Sequence, residues 1–328
     1  MARIFTYIPH KGGIVNDSAF ELAAAARKID GTTSPIAILT GFGADVDSAC
    51  QALASSYPEV WKVANEALAY PNAELVRKAL TKILPTNCIV LIAHDHFGID
   101  LAPGLSIKTN CTFVSDVLDV SAIEGNHLQV VRQEFGGQVS AHVRCDISSG
   151  AVLTLRPGAF KPAEIVESNS VVVDKSSGAG SLESGRRYLE TVVAEAGDVD
   201  ITKYNVLVSI GRGIQEKDNV PIAQELADAI GAAVSCSRPV VDAKWMDKSR
   251  QVGSSGKTVK PKVYLACGIS GSFQHLAGIK GSPFLIAINR NPKAPIFQVA
   301  DVGIVDDILE FLPELTGRVR EVRGVATK

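Results

Sequence analysis

Ser237-Arg238, Gln251-Val-Gly-Ser-Ser-Gly-Lys257, Gly268-Ile-Ser-Gly-Ser-Phe-Gln-His275, Ala287-Ile-Asn289 and Ala294-Pro-Ile-Phe-Gln-Val-Ala-Asp301 punctuate the stretch from Cys236 to Asp301. Glycines, short hydroxyls, an arginine and a histidine recur there just after apolar runs that read as strands. In an open α/β sheet, ligands sit outside the carboxyl ends of the strands. The pattern therefore suits a large, flat, anionic cofactor lying across a parallel sheet, not a lone catalytic triad.

Around this stretch, strands are expected at 205–210, 232–236, 262–267, 284–288 and 302–305, with helices at 220–231, 271–279 and 306–312. In the 220–231 helix, Ile222, Leu226 and Ile230 share one face, the spacing that packs against a sheet. The first half alternates similarly. Residues 3–8, 35–40, 88–93 and 111–118 read as strands, and Asp17 to Ile29, Asp45 to Ser55, Asn72 to Leu84 and Ile99 to Thr109 as helices. Asp17 and Asn72 are the expected N-caps. Such alternation argues for a mostly parallel sheet flanked by helices.

From Asn126 to Leu155 the pattern changes to a two-residue period, in 127–134, 139–145 and 151–155, with turns at Gly136-Gly137 and Ser148-Ser-Gly150. An antiparallel extension is expected there. The fold class is thus a two-domain α/β protein. Residues 1–200 form a nucleotide-binding-like domain with the antiparallel extension, and 203–328 a doubly wound parallel-sheet domain. The Gly/Ser-rich segment 174–185 is the linker candidate, followed by a helix from Arg187 to Glu195.

At 328 residues there is chain enough for two cores, and with a formal net charge of −2 no basic stripe points to nucleic acid. The longest apolar runs, Cys88–Ala93 and Val263–Cys267, are strand length, so no direct membrane insertion is expected. Arg3-Ile-Phe-Thr-Tyr-Ile8 reads as a first strand, and no targeting segment is expected before it. The 6 cysteines are scattered without a CxxC or Cys/His cluster, so no metal site is expected, and buried free thiols suit a reducing cytoplasm. His94-Asp-His96 resembles a metal pair, but alternate residues of an extended segment point to opposite faces.

Each candidate site residue has two readings. Val206-Leu-Val-Ser-Ile-Gly-Arg-Gly213 ends a buried strand with glycines that admit a ligand closely and with Arg212 as a positive fork. It is equally a turn with an exposed arginine, and it is not a GxGxxG fingerprint. The amides opening the helix after Gly268 form an anion site, with Ser270 and Ser272 as hydroxyl donors and Gln274 and His275 in reach of a ring carbonyl. Gln251 to Lys257 is a loop, and most such stretches are flexible surface. Asn289 ends a strand as ligand contact or turn former. Asp301 and Asp307 accept from ribose hydroxyls or cap the last helix, with Asp306 as the expected cap and Asp301 alternatively ordering the preceding loop. Arg238 beside a flavin stabilises negative charge at N1–C2=O; otherwise it is half of a surface salt bridge.

Taken in order, these blocks resemble the flavin-binding domain of the alpha subunit of electron transfer flavoproteins, over about 206–315. The first 200 residues resemble the family less sharply, through Asp100-Leu-Ala-Pro103, Phe113-Val-Ser-Asp116 and Thr154-Leu-Arg-Pro-Gly158. The resemblance implies a heterodimer with a beta subunit, and FAD held mainly by the C-terminal domain. It implies that Arg212 and Arg238 flank the isoalloxazine, that Ser255 offers its hydroxyl to N5, and that His275 faces the C2 carbonyl. Ser237 and the loop of Gln251, Val252, Gly253, Ser254, Ser255 and Gly256 would hold the ring and ribityl chain. Ser270, Gly271, Ser272, Phe273 and Gln274 would hold the pyrophosphate, and Asn289 and Asp307 the ribityl–adenosine end.

The implied function is electron carriage without catalytic residues. Electrons would come from flavoprotein dehydrogenases such as acyl-CoA dehydrogenases and pass to a quinone reductase or other acceptor. The alternatives are a subunit of an electron-bifurcating, NADH-oxidising complex, a nicotinamide- or thiamine-binding enzyme of related fold, and a non-catalytic nucleotide-binding module. One departure stands out. The family loop commonly reads Gln-Val-Gly-Gln-Thr-Gly-Lys, whereas Ser254 and Ser255 stand here. Ser255 keeps the hydroxyl and Ser254 is too short to replace the Gln, so FAD binding is expected to survive with altered potentials.

Overall fold

The computed structural model describes residues 3–162, 170–191, 199–281 and 283–324, and the chain divides into two compact units, 1–190 and 191–328. The first unit contains β1 (Ile4–Tyr7), a hairpin of β2 (His10–Lys11) and β3 (Ile14–Val15), β4 (Ile36–Gly41), β5 (Glu59–Ala64), β6 (Ile89–Ala93), β7 (Thr112–Val120), β8 (His127–Glu134), β9 (Val139–Asp146), β10 (Ala151–Leu155) and β11 (Val171–Asp174). All but the hairpin join a 9-stranded sheet in the order β11-β5-β4-β1-β6-β10-β7-β8-β9. Helices α1 (Ser18–Ile29) and α2 (Gly43–Ala52) bury their apolar residues in the core on one face. On the other face lie α3 (Ala73–Ile83), α4 (His96–Thr109) and the short α5 (Ser176–Ala179).

Only β8 and β9 carry the antiparallel extension, paired from His127↔Asp146 to Glu134↔Val139. The third expected member, Ala151–Leu155, is instead a parallel strand between β6 and β7 with all five residues buried. A strand covered on both faces selects a near-continuous apolar run, which overrides any apparent alternation. The expected linker is folded over its first part, where β11 adds to the sheet edge and Ala179 of α5 is fully buried. Of the helix expected from Arg187 to Glu195, residues 187–191 are not helical and the rest lies outside the described residues.

Caps decide two further boundaries. Asn72 accepts from the amides of Glu74 and Leu75, as expected, whereas Asp17 makes no side-chain cap. Helix α4 starts ahead of Ile99 because Asp95 accepts from the Gly98 amide at 2.8 Å. The segment 94–96 is therefore a strand-to-helix turn, not an extended one, and His94 Nδ1 lies 2.9 Å from Thr154 Oγ1.

The second unit holds β12 (Val206–Ile210), β13 (Ala233–Cys236), β14 (Val263–Cys267), β15 (Phe284–Ile288) and β16 (Val302–Ile304). They form an all-parallel 5-stranded sheet ordered β13-β12-β14-β15-β16. Its helices are α6 (Val220–Ile230), α7 (Arg238–Asp242), α8 (Phe273–Leu276) and α9 (Ile308–Val322). Leu226 of α6 and Leu312 of α9 anchor the core on one sheet face. Connecting segments through Val252, Val259 and Ile296 cover the other. The chain turns outward from β12 to β13, then crosses back to β14. That reversal sets the switch point at the carboxyl ends of β12 and β14, the end at which such sheets bind ligands. Among the described residues, no helix is long and apolar enough to cross a membrane.

Candidate functional site

Two loops meet at this reversal. Gly211-Arg-Gly213 follows β12 and Gly268-Ile-Ser-Gly271 follows β14, and they are bonded by Gly211 N–H to the Cys267 carbonyl (2.8 Å) and Gly213 N–H to the Gly268 carbonyl (3.1 Å). A Cβ on Gly211 would stand 2.3 Å from the Gly268 oxygen, and one on Gly213 would stand 2.6 Å from the Gly268 Cα. Gly268 itself has φ +65°, a left-handed conformation. These glycines are therefore required for loop-to-loop packing. Arg212, between two of them, is exposed.

The Gln251–Lys257 segment is a closed turn, not a free surface loop. Val252 N–H donates to the Cys236 carbonyl at 2.8 Å, which ties the turn to the end of β13. Lys257 N–H donates to the Gln251 carbonyl at 2.7 Å, and Ser254 N–H donates to the Gln274 carbonyl at 2.7 Å. Gln251 is buried while Ser254, Ser255 and Gly256 are exposed, and the Gln251 amide nitrogen donates to Ser255 Oγ at 2.9 Å. Lys257 extends to Asp200 at 3.2 Å.

Helix α8 spans four residues in place of the expected 271–279, so the Gly268–Gln274 segment acts through individual amides with little macrodipole behind them. No backbone carbonyl of the described residues accepts from the amides of Ser270, Gly271 or Ser272. The side chains of Ser270, Ser272, Phe273 and Gln274 are exposed. Two bonds hold this turn from beneath: Asn289 Nδ2 donates to the Ile269 carbonyl at 2.9 Å, and Ile296 N–H donates to the Ser270 carbonyl at 3.0 Å. Asn289 is thus a brace for the turn.

His275 is placed differently from the expectation that it faces outward to a ring carbonyl. It is buried, with Nδ1 3.1 Å from the Val252 carbonyl and Nε2 2.9 Å from the Tyr264 hydroxyl. Burial holds its pKa down at about 4, so the ring is neutral. The Val252 carbonyl can only accept, so the ring proton sits on Nδ1. Sequence reading had no sight of Tyr264, whose hydroxyl also lies 2.7 Å from Ser209 Oγ.

After β13, Ser237 is buried with its amide bonded to the Ile210 carbonyl at 3.0 Å. Arg238 is 69% exposed and its Nε lies 3.4 Å from Asp242, an ion pair one helical turn away. A pair this exposed contributes about 1 kcal/mol or less, so it restrains the guanidinium weakly. Asp307, not Asp306, caps α9, accepting from Leu309 N–H at 3.0 Å. Asp306 accepts from the Asp307 amide at 2.7 Å instead. Asp301 lies before β16 and bonds both backbone groups of Leu285, so it orders the opposite, amino end of the sheet. The arginine overlooked in the sequence is Arg250, buried behind β13 with Nη1 donating to the Val234 carbonyl at 2.9 Å. Its position next to Gln251 was the only signal.

The structure thus gathers Arg212, Ser237, Arg238, Gln251–Gly256, Ser270–His275, Asn289 and Asp307 on segments leaving the carboxyl ends of the five strands. Exposed hydroxyls, the amides of 270–272 without a backbone acceptor among the described residues, and two exposed guanidiniums form a donor set suited to a ligand with phosphates and ring carbonyls.

Comparisons with known proteins agree with this chemistry. Residues 200–280 match the family model of the electron transfer flavoprotein FAD-binding domain, and 4–179 match the electron transfer flavoprotein domain. The chain is 34% identical to the electron transfer flavoprotein subunit alpha of Methylophilus methylotrophus, over 97% of this chain and 99% of that protein. The corresponding subunit of Bacillus subtilis is 33% identical over 95% of each. The LctC subunit of lactate dehydrogenase (NAD(+),ferredoxin) from Acetobacterium woodii is 30% identical over 95% of this chain and 75% of that protein. A solved thiamine diphosphate-dependent 4-hydroxybenzoylformate decarboxylase of Rhodococcus jostii RHA1, at 11% identity and a TM-score of 0.23, carries no argument.

Proposed function

The chain belongs to the electron transfer flavoprotein family, matching its alpha subunits over nearly full length, and from that premise we propose that it is the FAD-holding subunit of a two-chain electron carrier. Its C-terminal region is an FAD-binding domain. The observation that carries the proposal is the convergence of the 211–213, 251–257 and 268–275 segments at one end of the second sheet.

Each residue type suits its share of the cofactor. The amides and hydroxyls of Ser270 and Ser272, with Gly271, Phe273 and Gln274, meet the pyrophosphate. Arg212 and Arg238 bring positive charge to the ring, where charge on the reduced flavin collects. Ser255 presents its hydroxyl to N5, and the Val252–Gly256 backbone with Ser237 holds the ring and ribityl chain. Asn289 and Asp307 serve the ribityl–adenosine end while also bracing their own turns. His275 acts from behind, holding the Val252 carbonyl and with it the turn. When bound, FAD supplies one- and two-electron redox chemistry, and the chain supplies placement and charge.

In this reading the partner is a beta subunit, the donors are flavoprotein dehydrogenases, and the acceptor is a quinone reductase or a similar protein. The relative named as a subunit of lactate dehydrogenase (NAD(+),ferredoxin) favours a second reading, an NADH-oxidising bifurcating complex. Reduction assays on the purified two-subunit complex separate the two. A carrier is reduced by an acyl-CoA dehydrogenase with its substrate and not by NADH alone. Reduction by NADH alone supports the bifurcating complex, and reduction by neither would sink both.

A further inference from the structure

We propose that Gln251 is a positioning residue for the flavin: its amide fixes the Ser255 hydroxyl so that the hydroxyl proton points to the cofactor and not into the protein. This deepens the FAD reading and rests on it. The Gln251 side chain amide donates to Ser255 Oγ at 2.9 Å. A serine hydroxyl has one proton and two lone pairs, so an incoming N–H occupies the oxygen from the protein side and leaves the proton for an acceptor elsewhere. Ser255 is exposed, so that acceptor comes from outside the chain. A flavin ring nitrogen is an acceptor of this kind.

The arrangement is built into the turn. Gln251 is only 3% exposed, and burying a primary amide is costly unless it is hydrogen-bonded. Its backbone is held at both ends, by Gln251 N–H to the Lys248 carbonyl at 3.1 Å and by Lys257 N–H to the Gln251 carbonyl at 2.7 Å. Gly256 completes the enclosure. A Cβ there would stand 2.4 Å from the Gln251 carbonyl oxygen and 2.9 Å from its Cγ, so the turn closes over Gln251 only with glycine. Ser254, beside Ser255, is exposed and does not share this support.

The test is spectroelectrochemical titration of the FAD-loaded two-subunit complex. A fixed donor stabilises the one-electron-reduced ring, in which the acceptor nitrogen has gained electron density and carries no proton, so its loss lowers the midpoint potential of the first one-electron step. Ser255→Ala lowers it, Gln251→Met lowers it in the same direction, and the combined variant matches Ser255→Ala alone, because Gln251 acts only through that hydroxyl. Gln251→Glu keeps the side chain's shape but presents an acceptor that takes the Ser255 proton. Its effect is larger in the Ser255 background than in the Ser255→Ala background, which provides the test should Gln251→Met fail to fold. A normal potential in Gln251→Met, or fully additive losses in the combined variant, overturns the inference while leaving FAD binding intact. A wild-type complex that takes up no FAD defeats the underlying reading instead.

Discussion

His275 has no ring nitrogen without a protein partner, and this gives it a measurable thermodynamic signature. Its folded pKa, about 4, lies below the ordinary 6.5 because burial disfavours the charged ring. Between those values the unfolded chain binds a proton that the native state does not. The stabilisation is therefore complete above the unfolded value and is lost as pH falls, by at most on the order of 3 kcal/mol. His275→Gln should flatten this dependence, read as urea midpoints of the complex at about pH 7 and about pH 5. An unchanged slope would show that His275 does not carry it. At this scale the sequence was a partial guide. The glycine-rich setting singled out His275, Ser255 and Gln251, but neither Tyr264 nor the bond from Gln251 to Ser255, because those contacts depend on how the turn folds back onto β14 and β13. Asp306 is the cap expected from the sequence, with Asp307 beside it as a candidate. Only the dihedral path into α9 selects Asp307.

Among the elements, the paired loops at the strand reversal leave no room for a side chain at Gly268. Gly268→Ala puts a side chain on a φ of +65° and sets its Cβ 2.7 Å from the Gly213 Cα. We expect a loss of at least about 2 kcal/mol, with FAD retention falling alongside, since the same loop presents the amides at 270–272. Thermal unfolding followed by circular dichroism and flavin fluorescence checks both; a variant with unchanged stability and flavin would show that the loops can separate freely. Elements with one apolar face were legible, including α3 with its Asn72 cap and the β8–β9 hairpin. Those read wrongly had other constraints. Ala151–Leu155 is covered on both faces, which erases a two-residue period. Helix α9 was expected to stop at 312, before Pro313, yet it continues to Val322 with the proline inside. An interior proline forfeits its own N–H bond and crowds the carbonyl four residues back, a cost that packing of the helix on its sheet, here through Leu312, offsets.

For the whole molecule, alternation of strand and helix conveyed the two-unit α/β class, while the order of glycine and hydroxyl blocks conveyed the family. Neither conveyed that the second sheet is wrapped on one face by connecting segments, the same segments that carry the site. This coupling makes cofactor and fold interdependent: a ligand bound only by the native unit stabilises it in proportion to the logarithm of its concentration over Kd. The central claim is that this chain, with a beta subunit, carries FAD at the carboxyl ends of β12 to β15. Titrating FAD into the flavin-depleted two-subunit complex, followed by flavin absorbance, tests it most directly. We predict saturable uptake that restores the flavin spectrum and is weakened by Gly268→Ala; a complex that stays colourless at saturating FAD, or whose uptake is untouched by that substitution, would contradict it.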